Sequence, residues 1–464
     1  MKFAKKIMVY FFGSILSKMV VFFLLPIYTK YIDPLSYGEN DLAYTTVIML
    51  VDFFFLEAWI ALLRFSYDNQ TVSGRKKIFT NTMVLLGICL PFYLIGSITS
   101  SVLLHLPNMI WMILFGLSLL SLDVFQFKIR ADGNSLDFLI SGAVSAIMQL
   151  IVAIVALFAL HLGAITIFLS PIVGNGCACL YIIIKNSYYS EFQLSLLDRR
   201  YIKELFLFSY PLAINYVAFW GMTNANKYFA RFYLGAEVNG YIALATKFTS
   251  IVARLVQVFA LAWQESAFEH SSSENRSVYY SDVFTNYYLL MALGASGIML
   301  VTNLFFNTFI SQSYLPARAT LPIYYISSFF NAISNFYGHL FSAEKKTKVL
   351  LSSTIFGTIA NIGLLLFTVK KLGIYSVPLS LVFGYLVNVG MRMMNYQKIN
   401  RLNLHVPILF AGFTFVLVSM ILCYIDNVLI QAAMIVGICA FALYKYKDIL
   451  KSAIQMVKAK AANG

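Results

Sequence analysis

Runs of about 20 apolar residues recur along the whole chain, each long enough to cross about 30 Å of hydrocarbon as an α-helix. In the first half they cover approximately 7–29, 42–63, 79–103, 109–127, 138–160 and 164–184. They resume at approximately 205–230, 239–262, 284–310, 320–341, 349–369 and 374–394, and a last pair covers 406–424 and 428–444. The pattern predicts an all-α polytopic membrane protein with about 14 transmembrane helices. Between the halves lies Lys185–Glu204, a stretch bracketed by Lys185, Glu191, Asp198, Arg199, Arg200, Lys203 and Glu204. Its charge reads as a water-exposed connector. The predicted organisation is therefore a six-helix bundle over 1–186, a connector over 187–203 and a second six-helix bundle over 204–397. Two additional transmembrane helices and a tail occupy 398–464.

The halves echo each other. Ile32-Asp-Pro-Leu-Ser-Tyr-Gly38 leads into the second span and Leu234-Gly-Ala-Glu-Val-Asn-Gly240 into the eighth, so Gly38 aligns with Gly240 at a shift of 202 residues. Leu162-Gly163 matches Leu372-Gly373 at a shift of 210, and the same shift superposes Leu169-Ser170 on Leu379-Ser380 and Gly174 on Gly384. Ala131-Asp132 resembles Ala343-Glu344 at a shift of 212. An even number of spans per copy makes both enter the membrane the same way. This predicts two parallel bundles related by a pseudo-twofold axis along the membrane normal, with a cleft between them.

Composition agrees with a membrane reading. Only 12% of residues are charged and 60% are hydrophobic, against about 25% charged in soluble domains, and the mean hydropathy is +0.77. The net charge of +14 sits in short loops, where it sets topology; no base-stacking motif accompanies it, which argues against nucleic acid. With the N-terminus inside, about 25 Lys and Arg fall on the cytoplasmic side and about five on the other, placing both termini in the cytoplasm. Cys89, Cys177, Cys179, Cys423 and Cys439 all lie in apolar runs without metal or redox spacing. No G-x-x-x-x-G-K-[ST], H-E-x-x-H or G-x-S-x-G is present, so neither a nucleotide-powered pump nor an enzyme is expected, and no catalytic residue, metal site or cofactor is assigned.

The candidate chemistry is the charge inside the spans, which costs about 3 kcal/mol per group and usually faces a cavity or a partner. Lys18, Lys247 and Arg254 form the candidate cationic, substrate-binding set; Lys247 and Arg254 are seven residues apart and share a helix face. Asp52, Glu57 and Asp123 are candidates for ion coupling or charge pairing. The shift of 202 superposes Asp52 on Arg254, so the halves carry opposite charges at equivalent places, and the two are expected to pair across the cleft in one state. Asn215, Asn224, Asn331, Asn335 and Asn388 are expected to line a polar cavity, with interhelical hydrogen bonds as the alternative. Lys227 and Arg231 read as snorkelling groups or substrate contacts. Pro26, Pro171, Pro211 and Pro378 mark expected bends. The many aromatics (41 Phe and 30 Tyr) fit interfacial belts or sugar stacking.

The run from Leu25-Pro-Ile-Tyr-Thr-Lys-Tyr to Gly38 resembles the multidrug/oligosaccharidyl-lipid/polysaccharide exporter superfamily. So do Phe208-Ser-Tyr-Pro-Leu212 continuing to Asn226-Lys-Tyr-Phe229, and the Leu-Gly-x-x-x-x-Gly-Tyr pattern of Leu234–Tyr241. The nearest likeness is to bacterial flippases of O-antigen or capsule repeat units. The resemblance implies alternating access and an undecaprenyl-diphosphate-linked oligosaccharide as substrate in the cytoplasmic membrane. It also implies ion coupling and, as partners, a polysaccharide polymerase and a chain-length regulator. Lipid II flippases share the span count and a cationic cavity. The drug-exporting branch fits less well, because Lys18 stands where a carboxylate would serve cation antiport.

Overall fold

The computed structural model describes residues 24–69, 71–270, 273–344 and 346–447. Residues 24–31 are helical and lead into α1 (Pro34–Phe54), which starts where the Asp33 side chain accepts from the Ser36 amide at 2.9 Å and Pro34 occupies the first turn. After α1 come α2 (Ala58–Asp68), α3 (Val72–Leu103), α4 (Met109–Ala131), α5 (Ser135–Ile154) and α6 (Thr166–Asn186). Next are α7 (Arg199–Leu234), α8 (Ala236–Glu269), α9 (Arg276–Phe309) and α10 (Leu315–Ala343). The chain continues through α11 (Thr347–Leu372), α12 (Ser376–Gln397), α13 (Val406–Ile425) and α14 (Val428–Lys445).

Among the described residues, eight helical stretches are long and apolar enough to cross a membrane, or ten if each of two bent pairs counts as one span. One bent pair is α1 with α2, at 42°, and the other is formed by the two parts of α7, Arg199–Gly221 and Thr223–Leu234, at 49°. Neither break sits at a proline. The first is made by Leu56 (φ 61°) and Glu57 (φ 50°) in the left-handed region, a costly conformation for residues with a Cβ. The second adjoins Gly221, ten residues beyond Pro211, through which α7 remains helical. The apolar stretch Lys348–Gln397 doubles back at Gly373–Tyr375 into α11 and α12. Across that hairpin Gly357 and Gly384 face each other, where a Cβ on either would come within 2.9 Å of the other's carbonyl oxygen.

The chain divides into two compact units. The first runs to Leu244 and takes in Ser311–Tyr314; the second comprises Ala245–Ile310 and the chain from Leu315 on. In the first unit α1 packs on α3, α4 and α7 around Leu42, Val47, Val51, Phe55, Tyr93 and Phe115. α7 lies beyond the connector in sequence but belongs to this unit. In the second unit α9 packs against α10, α13 and α14. Its interior is aromatic: Trp263 stacks on Phe336 at 4.5 Å, and the Tyr287 hydroxyl donates to the Ala332 carbonyl at 3.0 Å. Much of the aromatic content is therefore core and not interfacial belt. α10 carries many of these rings and is buried along most of its length. A helix enclosed by protein is not selected for lipid solubility, which is why it falls short of the apolarity of a lipid-facing span.

The repeat has a physical counterpart. A Cβ on Gly38 would lie 2.1 Å from the Ala236 oxygen, and one on Gly240 would lie 2.0 Å from the Pro34 oxygen. The shift of 202 carries Pro34 to Ala236 and Gly38 to Gly240, so the contact is reciprocal, as at a twofold axis. The Asn239 side chain donates to the Gly38 carbonyl at 2.7 Å and fastens the junction.

The stretch expected to be water-exposed is docked. Lys128, 1% exposed, bonds Asp132 at 2.7 Å and Glu191 of the connector at 2.8 Å. The Tyr188 hydroxyl donates to Asp132 at 2.6 Å, Lys77 meets Asp198 at 2.7 Å, and Asn81 donates to the Leu196 carbonyl at 3.0 Å. Burial, with the Asp132 carboxylate beside it, raises the Tyr188 phenol. The Lys77 hydrogen bond holds the Asp198 carboxyl below its usual range. Most of residues 187–200 are exposed, and these bonds tie the exposed strap to the first unit.

Candidate functional site

Three carboxylates gather in the first unit. Asp52 stands near the end of α1, Glu57 in the left-handed break after it, and Asp123 on α4. Their charges act on one another, and the Tyr216 phenol of α7 lies beside Asp52. Helical continuation after Phe54 would turn Glu57 to another azimuth, so the strained break brings it to this group. Among the described residues none of the three has a Lys or Arg ion-pair partner, and no His, Cys, Asp or Glu cluster is placed to hold a metal ion. Like charges that act on one another in a membrane interior carry a repulsion and desolvation cost.

From Tyr216 the same side of α7 runs on through Lys227, Tyr228 and Arg231, and every step of it meets a polar partner. The Lys227 ammonium bonds Asp41 at 2.6 Å and Thr45 at 3.2 Å; both charged side chains are nearly enclosed, 9% and 3% exposed. Tyr228 shares a 2.6 Å hydrogen bond with Thr46. Arg231 donates to the carbonyls of Leu104 at 2.6 Å and His105 at 3.0 Å, where α3 ends and needs acceptors satisfied. Lys227 thus proves a buried ion-pair member and Arg231 a helix cap, neither of them a snorkelling side chain. The pair escaped the sequence reading because Asp41 stands one residue outside the span drawn from 42, so its charge was not counted as buried.

Lys247 and Arg254 lie on α8 in the second unit, both half-buried. The Arg254 guanidinium donates to Gln257 at 2.8 Å and has no carboxylate partner among the described residues. Lys18 lies outside the described residues. Asn215 is on α7. Asn224 donates to Thr223 at 2.9 Å, and Asn335 to Asn331 at 2.9 Å. Asn388 is 1% exposed and accepts from Ser334 of α10 at 2.6 Å; its place is within the helix packing. Arg392, one turn on from Asn388, forms a further polar group that the sequence analysis did not single out. Cavities open among the described residues of the first unit. One of about 750 Å³ is lined by His105, Tyr228 and Arg231 among others. A more apolar one of about 480 Å³ runs beside Leu50, Phe54 and Phe92.

The fold has solved counterparts. The lipid II flippase MurJ in an inward closed conformation matches with a TM-score of 0.67 at 14% identity, covering 96% of this chain and 99% of that one. An inward-facing multidrug resistance MATE family transporter of the MOP superfamily matches with a TM-score of 0.66 at 13% identity, covering 87% and 95%. An outward-facing MATE transporter matches with 0.58 at 14% identity, covering 89% and 96%. At these identities the likeness speaks for the fold. No curated protein matches the sequence. The family described as "Polysaccharide biosynthesis protein" matches residues 3–264, more than half of the chain. The chain is a multi-pass membrane protein and belongs to the polysaccharide biosynthesis protein family.

Proposed function

We propose that the chain moves undecaprenyl-diphosphate-linked oligosaccharide repeat units across the bacterial cytoplasmic membrane by alternating access, for surface polysaccharide synthesis. The observation that carries this reading is the cationic face of α8 in a transporter of this family. Lys247 and Arg254 share that face, and Arg254 has no carboxylate partner among the described residues. Such a face suits an anionic diphosphate and not an organic cation. Lys18 is assigned to the same cationic set. Asp52, Glu57 and Asp123 are assigned to ion coupling, because a bound proton or cation relieves their mutual repulsion.

The reading includes about 14 crossings. To the ten candidates counted with bent pairs it adds α8, α10, the separation of α11 from α12, and the span ahead of α1. Positive charge then places both termini and the connector in the cytoplasm. A polymerase and a chain-length regulator are the partners this role implies.

Complementation tests it. A strain lacking its own flippase and making the matched glycan receives wild type or Lys18→Ala, Lys247→Ala or Arg254→Ala. Surface polymer restored by wild type, with lipid-linked intermediates retained by the variants at normal protein levels, supports both substrate and site. Full function of all three variants removes the cationic site. Failure of wild type overturns the substrate in favour of lipid II or cationic drugs.

A further inference from the structure

Arg392 lies 16 residues into α12 and is 8% exposed. Its guanidinium is held by two neighbouring helices, α10 and α11. Nε donates to Ser353 Oγ at 3.0 Å, Nη1 to the Ser334 carbonyl at 2.6 Å and to Ser334 Oγ at 3.0 Å, and Nη2 to Thr354 Oγ1 at 3.2 Å. Every one of these acceptors is neutral. No carboxylate among the described residues pairs with it. The titratable neighbours whose charges couple to it are His339 and Tyr385, and neither is an anion at neutral pH. The hydrogen bonds satisfy direction but leave a full positive charge in a low-dielectric interior. That is the costly case for a buried ion.

A second observation points to a ligand. Asn388, one turn earlier on the same face and 1% exposed, has an amide nitrogen with no hydrogen-bond partner among the described residues. Its oxygen is occupied by Ser334 Oγ at 2.6 Å, the hydroxyl that also receives Arg392 Nη1. The two side chains are therefore one hydroxyl apart. Of the five guanidinium N–H groups four are used, leaving one donor on Arg392 as well. α10 comes this close because Gly338 faces the guanidinium, where a Cβ would stand 3.2 Å from Nη1.

The geometry points to a binding site in the second unit for a small monovalent inorganic anion of the halide class, held by Arg392 and the amide nitrogen of Asn388. Arg392 and Asn388 lie on α12, away from Lys247 and Arg254 of α8 in sequence, and the site does not depend on the transport reading. The ion supplies the missing negative charge and accepts from the two unused donors.

The test uses the full chain in detergent, with chloride replaced by gluconate at constant ionic strength. Tryptophan fluorescence follows thermal unfolding as chloride or bromide is added back. Wild type is expected to gain a saturable rise in melting temperature, as ligand linkage requires. Asn388→Asp, which places a carboxylate four residues before Arg392, is expected to unfold at the same temperature in both salts. Independently, wild-type crystals grown in bromide are expected to show an anomalous peak between Arg392 and residue 388. Equal halide dependence in wild type and Asn388→Asp overturns the site, as does no halide dependence together with no bromide peak.

Discussion

Removing the Lys227 ammonium tests the α1–α7 seam most directly. Lys227→Ala leaves the Asp41 carboxylate, 3% exposed, without its charge partner. At 2.6 Å and an effective dielectric of about 20, the lost attraction is roughly 6 kcal/mol. Asp41 has an escape, which is to take up a proton. From a reference value near 4, doing so at pH 7 costs about 4 kcal/mol, at 1.36 kcal/mol per pH unit. The cheaper route sets the penalty, so the expected loss is about 3–4 kcal/mol, within the usual range for breaking one side of a buried pair. The double replacement Asp41→Leu/Lys227→Met removes both charges and keeps apolar volume, and is expected within about 1 kcal/mol of wild type. The assay is reversible unfolding in mixed micelles, read as a double-mutant cycle with a coupling energy of at least about 2 kcal/mol. A Lys227→Ala protein as stable as wild type would refute the reasoning, because it would mean that neither charge is enclosed as described.

At the reciprocal glycine contact, Gly38→Ala and Gly240→Ala each push a Cβ to about 2 Å from a backbone oxygen, and backbone yields poorly. Each is expected to cost about 1–3 kcal/mol and to lower the melting temperature. Gly87→Ala on α3, whose added Cβ meets nothing within 4 Å, is the control and is expected to be neutral or stabilising by about 0.5–1 kcal/mol. For the connector, Lys128→Met removes the cation between Asp132 and Glu191 and is expected to speed hydrogen exchange over residues 188–197. Arg64→Ala, in an exposed pair with Asp68, should leave those rates unchanged. Because the Asp198 carboxyl is lowered by Lys77, its contribution is present above about pH 4 and fades as pH falls below that. Protection of the Arg200 and Tyr201 amides it caps should therefore hold from pH 8 to 5 and decline toward pH 3, after correction for intrinsic exchange rates.

Fold class and internal register were legible because both are carried by short-range rules. Apolar runs of bilayer length admit little but helices, and Gly38 with Gly240 could be matched from one-dimensional spacing before their backbones were seen to touch. The two sharp breaks were not legible for an equally local reason. Proline is the visible helix breaker, whereas the break at Leu56–Glu57 is held by tertiary context against the preference of both residues. Partner choice is another kind of information. Lys227 and Asp41 are 186 residues apart and Tyr188 and Asp132 are 56 apart, and nothing in either neighbourhood names the other.

Hydropathy also reports lipid contact and not burial. It therefore placed a span at 320–341 without showing that α10 is enclosed by protein, and it marked the connector as exposed without showing the bonds that tie it down. The same distinction sorts the intramembrane charges. Lys227 and Arg231 are spent on holding helices together, while among the described residues Arg254 meets only the neutral Gln257 and Asp52 has no Lys or Arg ion-pair partner. A charge that a fold keeps in a membrane without a structural partner carries a standing cost. Under the transport function proposed above, that cost is offset when substrate or coupling ion arrives, which is why the proposal rests on Arg254 and the Asp52 group and not on the better-bonded Lys227.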